Sequence, residues 1–329
     1  MSKKAFTISA RAVFFGAVAL AVCAVALLYG REGTESTFAL RARAEKVGAA
    51  EAYQEFKARY AKEDFDTQHN AAHDVGRDLY EIMGSDGFAT CDEEFAFGCY
   101  HGFIGRAIAE KGVGIIEELA RACTERYGTG DTGCKHGIGH GIMEHMGRNK
   151  LVPALELCRK TDQPDPLYGC TSGVFMEYNN SIRFDGGIAS FDFRRPVDGD
   201  MHAPCDELSS LDFRRSCYFE MGAWWSGIFP DDPARVGNMC SEAKGNPERD
   251  ACYLGWGSVV VESVDRSVSE IKERCAMISE RGGQDLCYKG AAMRLGALGL
   301  KDGALLICAE ARTEVGQSCR GEIVGAGPR

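Results

Sequence analysis

The chain lacks the short signatures that announce common enzyme chemistries. No His-Glu-x-x-His is present, which excludes a zincin-type protease as the meaning of its histidines. No Cys-x-x-Cys-His is present, which excludes covalent attachment of a c-type haem. Gly-x-Ser-x-Gly, the phosphate-binding loop and the dinucleotide fingerprint are missing as well. Positive charge is also short, with 38 Lys+Arg against 48 Asp+Glu and a net charge of −10. Setting aside Lys3, Lys4 and Arg11 takes three positive charges from −10 and leaves −13 on the rest. A body that acidic argues against nucleic acid or anionic lipid as the main partner. No low-complexity linker divides it, so everything after the N-terminal segment reads as one domain.

One long uncharged run is present, Ala12 to Gly30. Its length is close to the roughly 20 residues that cross a bilayer core. The basic flank before it predicts a cytoplasmic N-terminus. The expected organisation is a cytoplasmic n-region at 1–11, a transmembrane anchor at 12–30 and an extracytoplasmic domain at 31–329. A cleaved signal peptide ending near Ala24-Val25-Ala26 is the rival, although the run exceeds the usual 7–15 residues of such an h-region. Cys23 lies inside the run. Val22 is bulky for a lipoprotein site, so Cys23 reads as a plain membrane-buried cysteine.

The other fourteen cysteines keep a rhythm. First members are Cys91, Cys123, Cys158, Cys205, Cys240, Cys275 and Cys308; second members are Cys99, Cys134, Cys170, Cys217, Cys252, Cys287 and Cys319. Successive second members stand 35, 36, 47, 35, 35 and 32 residues apart. A fixed period of this size marks stacked repeat units, each too small to bury its own apolar face. Regular pairing in so cysteine-rich a chain suggests disulfides and an oxidising compartment, periplasm or extracellular space. Structural zinc wants cysteines two to four residues apart, so it is a poor rival. Two linkages fit the spacing: each pair bonded within its unit, or a second cysteine bonded to the first of the next unit.

Within a unit, Ile116, Leu119, Ala120 and Cys123 form a helical stripe, GTGDTG breaks it, and Cys134 opens a second helix, CKHGIGHGIMEHMG. Later second helices open CTSGVFMEY, CYFEMGAWW, CYLGWGSVV and CYKGAAMRL. The unit is therefore a helical hairpin, with the first cysteine ending helix A and the second beginning helix B. Gly102, Gly137, Gly173, Gly255 and Gly290 each stand three residues after a second cysteine, and Glu220 breaks the rule. Glycine inside a helix costs about 1 kcal/mol against alanine, so its recurrence predicts close helix packing there. A cysteine-free unit precedes the first pair, with helix A at Glu45–Tyr60 and Thr67 in the cysteine position. That makes eight units of about 35 residues, disulfide-stapled, in an all-α αα-hairpin array that is either superhelical or closed as a toroid. This pattern resembles the cysteine-rich secreted relatives of tetratricopeptide repeats. The resemblance implies a right-handed αα superhelix and often a binding role; it supplies no catalytic residues. The insertion at 181–204 lengthens one spacing. Ile182 and Phe184, then Phe191 and Phe193, alternate about Asp-Gly-Gly, predicting a small hairpin, either a flap over the site or a decorated loop.

Six of the seven histidines fall within the histidine-bearing units, 45–147. His69/His73 and His136/His140 are i, i+4 pairs, each on one helix face. Two such imidazoles are the usual way a helix offers metal ligands. His101, on the unit between, would lie between the pairs. These five are the candidate ligands; His202 is read as surface. All-imidazole ligation suits iron, copper or zinc, and haem b held by two histidines is a further option. Glu144, one turn beyond His140, is the candidate catalytic carboxylate. Asp74, Glu177 and Glu220 are candidate acids, bases or partners of the ligands, against the preferred reading of solvated or capping residues. The leading expectation is a membrane-anchored metalloenzyme whose histidine centre activates oxygen or water. Its alternative is a non-catalytic scaffold offering a concave repeat face to a protein or glycan.

Overall fold

The computed structural model describes residues 36–325, apart from 163–166, 186–187 and 197. The anchor expected at 12–30, its basic flank and Cys23 lie outside the described residues. Among the described residues no helix is long and apolar enough to cross a membrane.

Helices dominate. In chain order they are α1 (Ser36–Val47), α2 (Ala49–Tyr60), α3 (Phe65–Met83), α4 (Gly98–Lys111), α5 (Ile116–Tyr127), α6 (Thr132–Met146), α7 (Leu151–Cys158) and α8 (Cys170–Asn179). After the insertion come α9 (Leu211–Ile228), α10 (Pro233–Met239), α11 (Asn246–Ser263), α12 (Val268–Ala276), α13 (Arg281–Ala297), α14 (Lys301–Cys308) and α15 (Thr313–Gly325). The insertion folds as the expected hairpin. Strands β1 (Asn180–Asp185) and β2 (Ile188–Phe193) pair antiparallel from Asn180↔Phe193 to Asp185↔Ile188.

All seven cysteine pairs are bonded within their units, Cys91–Cys99 through Cys308–Cys319, with Cα separations of 5.4 to 5.7 Å. The between-unit linkage is thereby eliminated. Each second cysteine lies on one of α4, α6, α8, α9, α11, α13 and α15. With α3 these form a continuous row, each packed on the next. The start of α3 and the segment before α8 both reach the C-terminal half. Arg266 and Arg294, from the C-terminal half, stand over the Phe65 ring at 5.4 and 5.6 Å, and the Tyr168 hydroxyl reaches Met293 Sδ at 3.8 Å.

The recurring glycines mark where neighbouring backbones touch. A Cβ on Gly173 would lie 2.0 Å from the His136 carbonyl oxygen; on Gly255, 1.9 Å from that of Phe219; on Gly290, 2.0 Å from that of Leu254. Any side chain there would push the helices apart, so the packing expectation holds.

Several local expectations need correction. The helix expected over Glu45–Tyr60 is two helices, broken at Gly48. Two units have no α-helix before their first cysteine. Gly84–Thr90 is a 3₁₀ turn ahead of Cys91, and a short 3₁₀ turn, Cys205–Glu207, begins at Cys205. Helix B does not always begin at its cysteine. Cys217, Cys252 and Cys287 are the seventh residues of α9, α11 and α13, because Asp-, Glu-, Arg- and Gln-containing sequence upstream adds helical turns. Thr67 is no stand-in for cysteine. Asp64 caps α3 by accepting from Thr67 N at 2.9 Å, and Thr67 Oγ1 bonds the same carboxylate. A Cβ on Gly102 would strike the His73 carbonyl, where the matching glycine of α8 strikes His136. In packing register His73 thus matches His136, and the first unit is slipped by one helical turn.

Candidate metal centre

The slip decides how the imidazoles meet. His69 and His73 project from α3, His101 from the N-terminal half of α4, and His136 and His140 from α6. Adjacent rings make one chain of contacts: His69–His73 at 4.7 Å, His73–His101 at 5.0 Å, His101–His140 at 5.1 Å and His136–His140 at 4.8 Å between centroids. All five candidate ligands are therefore brought together. His73, His101 and His140 are buried, while His145 is exposed on the far side of α6.

Three nitrogens converge most tightly. His73 Nε2 lies 3.1 Å from His69 Nε2 and 3.2 Å from His101 Nδ1, and ligand atoms of the three residues all fall within 4.8 Å of one another. Nitrogens bound tetrahedrally to one ion at 2.0–2.1 Å stand about 3.3 Å apart, so this spacing is that of a ligand set.

The proton positions sharpen the point. His69 Nδ1 donates to the Phe95 carbonyl at 2.7 Å, so its Nε2 carries a lone pair when the ring is neutral. Burial holds His69 down to about 4, and burial also holds His73 and His101 well below the usual histidine range, so all three are neutral at pH 7. If His73 Nε2 bears its proton, it donates to His69. His101 Nδ1 must then be bare, leaving the His101 proton on Nε2, which is buried without a partner. If His73 Nε2 is bare, two lone pairs face each other at 3.1 Å. No assignment of protons satisfies all three rings, whereas one cation between them would accept all three lone pairs.

The Phe95 carbonyl is aimed by an unusual backbone. Phe95, Ala96 and Phe97 have φ of 52, 54 and 63°, three successive non-glycine residues in the left-handed region. Each costs on the order of 1–2 kcal/mol, a strain held inside the Cys91–Cys99 loop.

The second pair has its own supports. His140 Nδ1 meets the Glu177 carboxylate at 3.2 Å, and His136 Nδ1 meets Ser172 Oγ at 3.1 Å. Ser172 in turn bonds Glu220. Oxygen acceptors on the outer ring nitrogen are what orient metal-ligating histidines. Glu177 and Glu220 are therefore partners of the histidines rather than the solvated or capping residues preferred from the sequence; both are buried. Burial pushes Glu220 up to about 8. Ser172 sits two residues after Cys170, the position that holds His136 after Cys134.

Glu144 stands apart. Its carboxylate pairs with Arg77 at 3.0 Å, and its side chain is 47 % exposed. Burial raises its pKa, although solvent at so open a position moderates the effect. Asp74, on α3, is raised to about 6 by partial burial. His202 is not a surface residue: its Nε2 meets Glu242 at 3.1 Å, and its ring packs edge-on against Trp225. The β1–β2 hairpin meets the helices at Arg148, which bonds Asp192, and at Gly227, against the Phe193 ring. No described contact joins it to a histidine.

Opposite the imidazoles, Arg294 pairs with Glu262 and stands over Phe65. Two surface hollows, one beside Tyr80 and Phe88 and one beside Tyr253 and Gly283, touch none of the histidines. No family model, curated protein or solved structure matches the chain.

Proposed function

We propose that this is an extracytoplasmic metal-binding protein whose centre is held by His69 Nε2, His73 Nε2 and His101 Nδ1. The observation that carries the reading is the unsatisfiable hydrogen bonding among three neutral imidazoles at ligand spacing, two of them buried and His69 half-buried. Three neutral nitrogen donors suit copper, zinc or iron. Haem b fits less well, because axial nitrogens at about 2 Å on either side of an iron stand about 4 Å apart, wider than the 3.1 and 3.2 Å found here. Three protein ligands leave a position at which a metal activates oxygen or water, and we read the protein as a metalloenzyme on that basis. Glu144, on the rim of the same helix as His140, remains the carboxylate we assign to proton transfer.

The frame of this proposal is a disulfide-stapled array of αα repeats closed as a toroid. Its support is the succession of hairpins and the meeting of Phe65 with Arg266 and Arg294. It keeps the resemblance to cysteine-rich relatives of tetratricopeptide repeats. Seven disulfides suit an oxidising compartment, and the uncharged run from Ala12 to Gly30 supports a membrane anchor. The alternative, a scaffold whose concave face binds a protein partner, draws on the resemblance alone. Metal analysis of protein purified from an oxidising compartment tests the choice. The proposal expects at least one tightly bound equivalent, lost in the His69→Ala/His73→Ala variant; a metal-free protein that folds and resists reloading would sink it.

A further inference from the structure

A metal at the first three nitrogens leaves one atom unexplained. His101 ligates through Nδ1, and its Nε2 still lies buried without a hydrogen-bond partner, on a residue only 6 % exposed. In an imidazole the two nitrogens point away from each other, so Nε2 faces away from His73. The neighbouring carbon, Cδ2, lies 2.9 Å from where a Cβ on Gly137 would stand, so this edge of the ring faces α6. There the His136 and His140 rings lie 5.4 and 5.1 Å away. Their Nε2 atoms are 3.1 Å apart, the same ligand spacing as in the first group. Their Nδ1 atoms are turned outward onto Ser172 Oγ and Glu177. Both inner nitrogens therefore face each other beside the His101 ring, on the α6 side that the first metal cannot use.

We propose that the centre is dinuclear: a second transition-metal ion binds His136 Nε2 and His140 Nε2, and His101, as an imidazolate, bridges the two ions through Nδ1 and Nε2. The inference rests on the first metal site and extends it. The proton balance is explicit. Binding breaks the His101 Nε2–H bond, and that proton leaves to solvent. His140 donates through Nδ1 to Glu177, so the N–H between the two Nε2 atoms belongs to His136; that bond breaks as well, and its proton moves to His136 Nδ1, where it is donated to Ser172 Oγ. One proton is released per second ion, and each Nε2 keeps its electron pair for the metal. The ligand class is a divalent ion that favours imidazole, copper or zinc above all.

The test is titration of the full metal-free chain with Cu(II) alone, reading metal per protein by elemental analysis and paramagnetism by electron spin resonance. The expected result is two equivalents per chain, with the resonance of the loaded protein weakened by exchange through the bridge. In the His136→Ala/His140→Ala variant we expect one equivalent and a full, uncoupled signal. His101→Gln should abolish the coupling and weaken binding at both positions; a variant that is folded by circular dichroism and still coupled would overturn the bridge. Wild type that saturates at one equivalent, unchanged in the double variant, would overturn the second site and leave the first standing. One equivalent that disappears in the double variant would mean five histidines sharing one ion, and would also overturn it. No binding at all would remove both readings. Should the double variant fail to fold, wild-type stoichiometry and coupling still decide.

Discussion

The two halves of the helical row share one packing rule and differ in what they present to the centre. In both, a glycine three residues after a cysteine presses on the carbonyl of the previous helix: Gly173 on His136, Gly290 on Leu254. In the N-terminal half the residues beside that contact are imidazoles. In the C-terminal half they are Phe219 and Leu254, which join Leu167, Tyr168 and Ala251 in a small apolar cluster of their own. The helices differ too. Second cysteines sit at the first to third positions of α4, α6 and α8 but at the seventh of α9, α11 and α13. The backbone frame is thus indifferent to the side chains it points inward. The glycine contacts recur along the row, while the clustered imidazoles are confined to three of its helices.

That division can be broken by substitution. The largest effect is expected at the helix contacts. Gly102→Ala and Gly290→Ala each place a Cβ within 2.0 Å of a carbonyl oxygen, and overpacking of this kind typically costs about 1–3 kcal/mol, with more where backbone cannot yield. Both variants should lose comparable stability in chemical denaturation, but only Gly102→Ala should also lose metal. Equal metal loss in both would mean that the halves are not separable.

Next in size is removal of a staple. Loops of 8 and 12 residues are worth about 2.5–3 kcal/mol in the chain-entropy model. Cys275→Ala/Cys287→Ala and Cys91→Ala/Cys99→Ala should therefore shift the unfolding midpoint similarly. The second alone should weaken metal binding, because Phe95, which holds His69, lies in the Cys91–Cys99 loop.

The smallest effect is on pH dependence, where the two walls have opposite signs. In the metal-free protein His69 is held down to about 4, against about 6.5 when unfolded. The unfolded chain binds the proton first, so stability falls as pH drops from 6.5 towards 4. Glu220 is pushed up to about 8 from an unfolded value of about 4.3. The folded chain keeps that proton, so its contribution is lost as pH rises from about 4.3 to about 8. Each group changes stability by at most about 1.4 kcal/mol per pH unit. Glu220→Gln should remove the fall in stability between about pH 6.5 and 8 and, because the two windows overlap, steepen the rise that His69 gives below 6.5.

Much of this frame was legible in residue order. Cysteine spacing located the hairpins, recurring glycines located the helix contacts, and histidine spacing located the site, because each depends on local chain geometry. What escaped depends on contacts between distant segments. Glu177 and Glu220 look like ordinary surface carboxylates until curvature buries them. Ser172 carries no signal of its own in the sequence, although its place two residues after Cys170 is what sets it against His136. The turn-long slip of α3 was hidden because Thr67, which aligns with cysteine, serves Asp64 as a capping partner instead. The halving of the expected Glu45–Tyr60 helix follows from Gly48, whose φ of 91° no helix accommodates. The left-handed run Phe95–Phe97 carries no glycine to announce it.

That run sets an order of events in the protein's life. Three residues in a costly conformation are held in a loop closed by Cys91–Cys99, and the loop supplies the carbonyl that fixes His69. A reduced chain has little to keep the carbonyl in place, so on the proposed reading oxidation would come before metal capture. The ion would then be acquired where disulfides form, from whatever that compartment holds. Which metal filled the proposed centre would accordingly be decided by geography as well as by ligand chemistry, and material folded in a reducing cytoplasm would report the wrong answer.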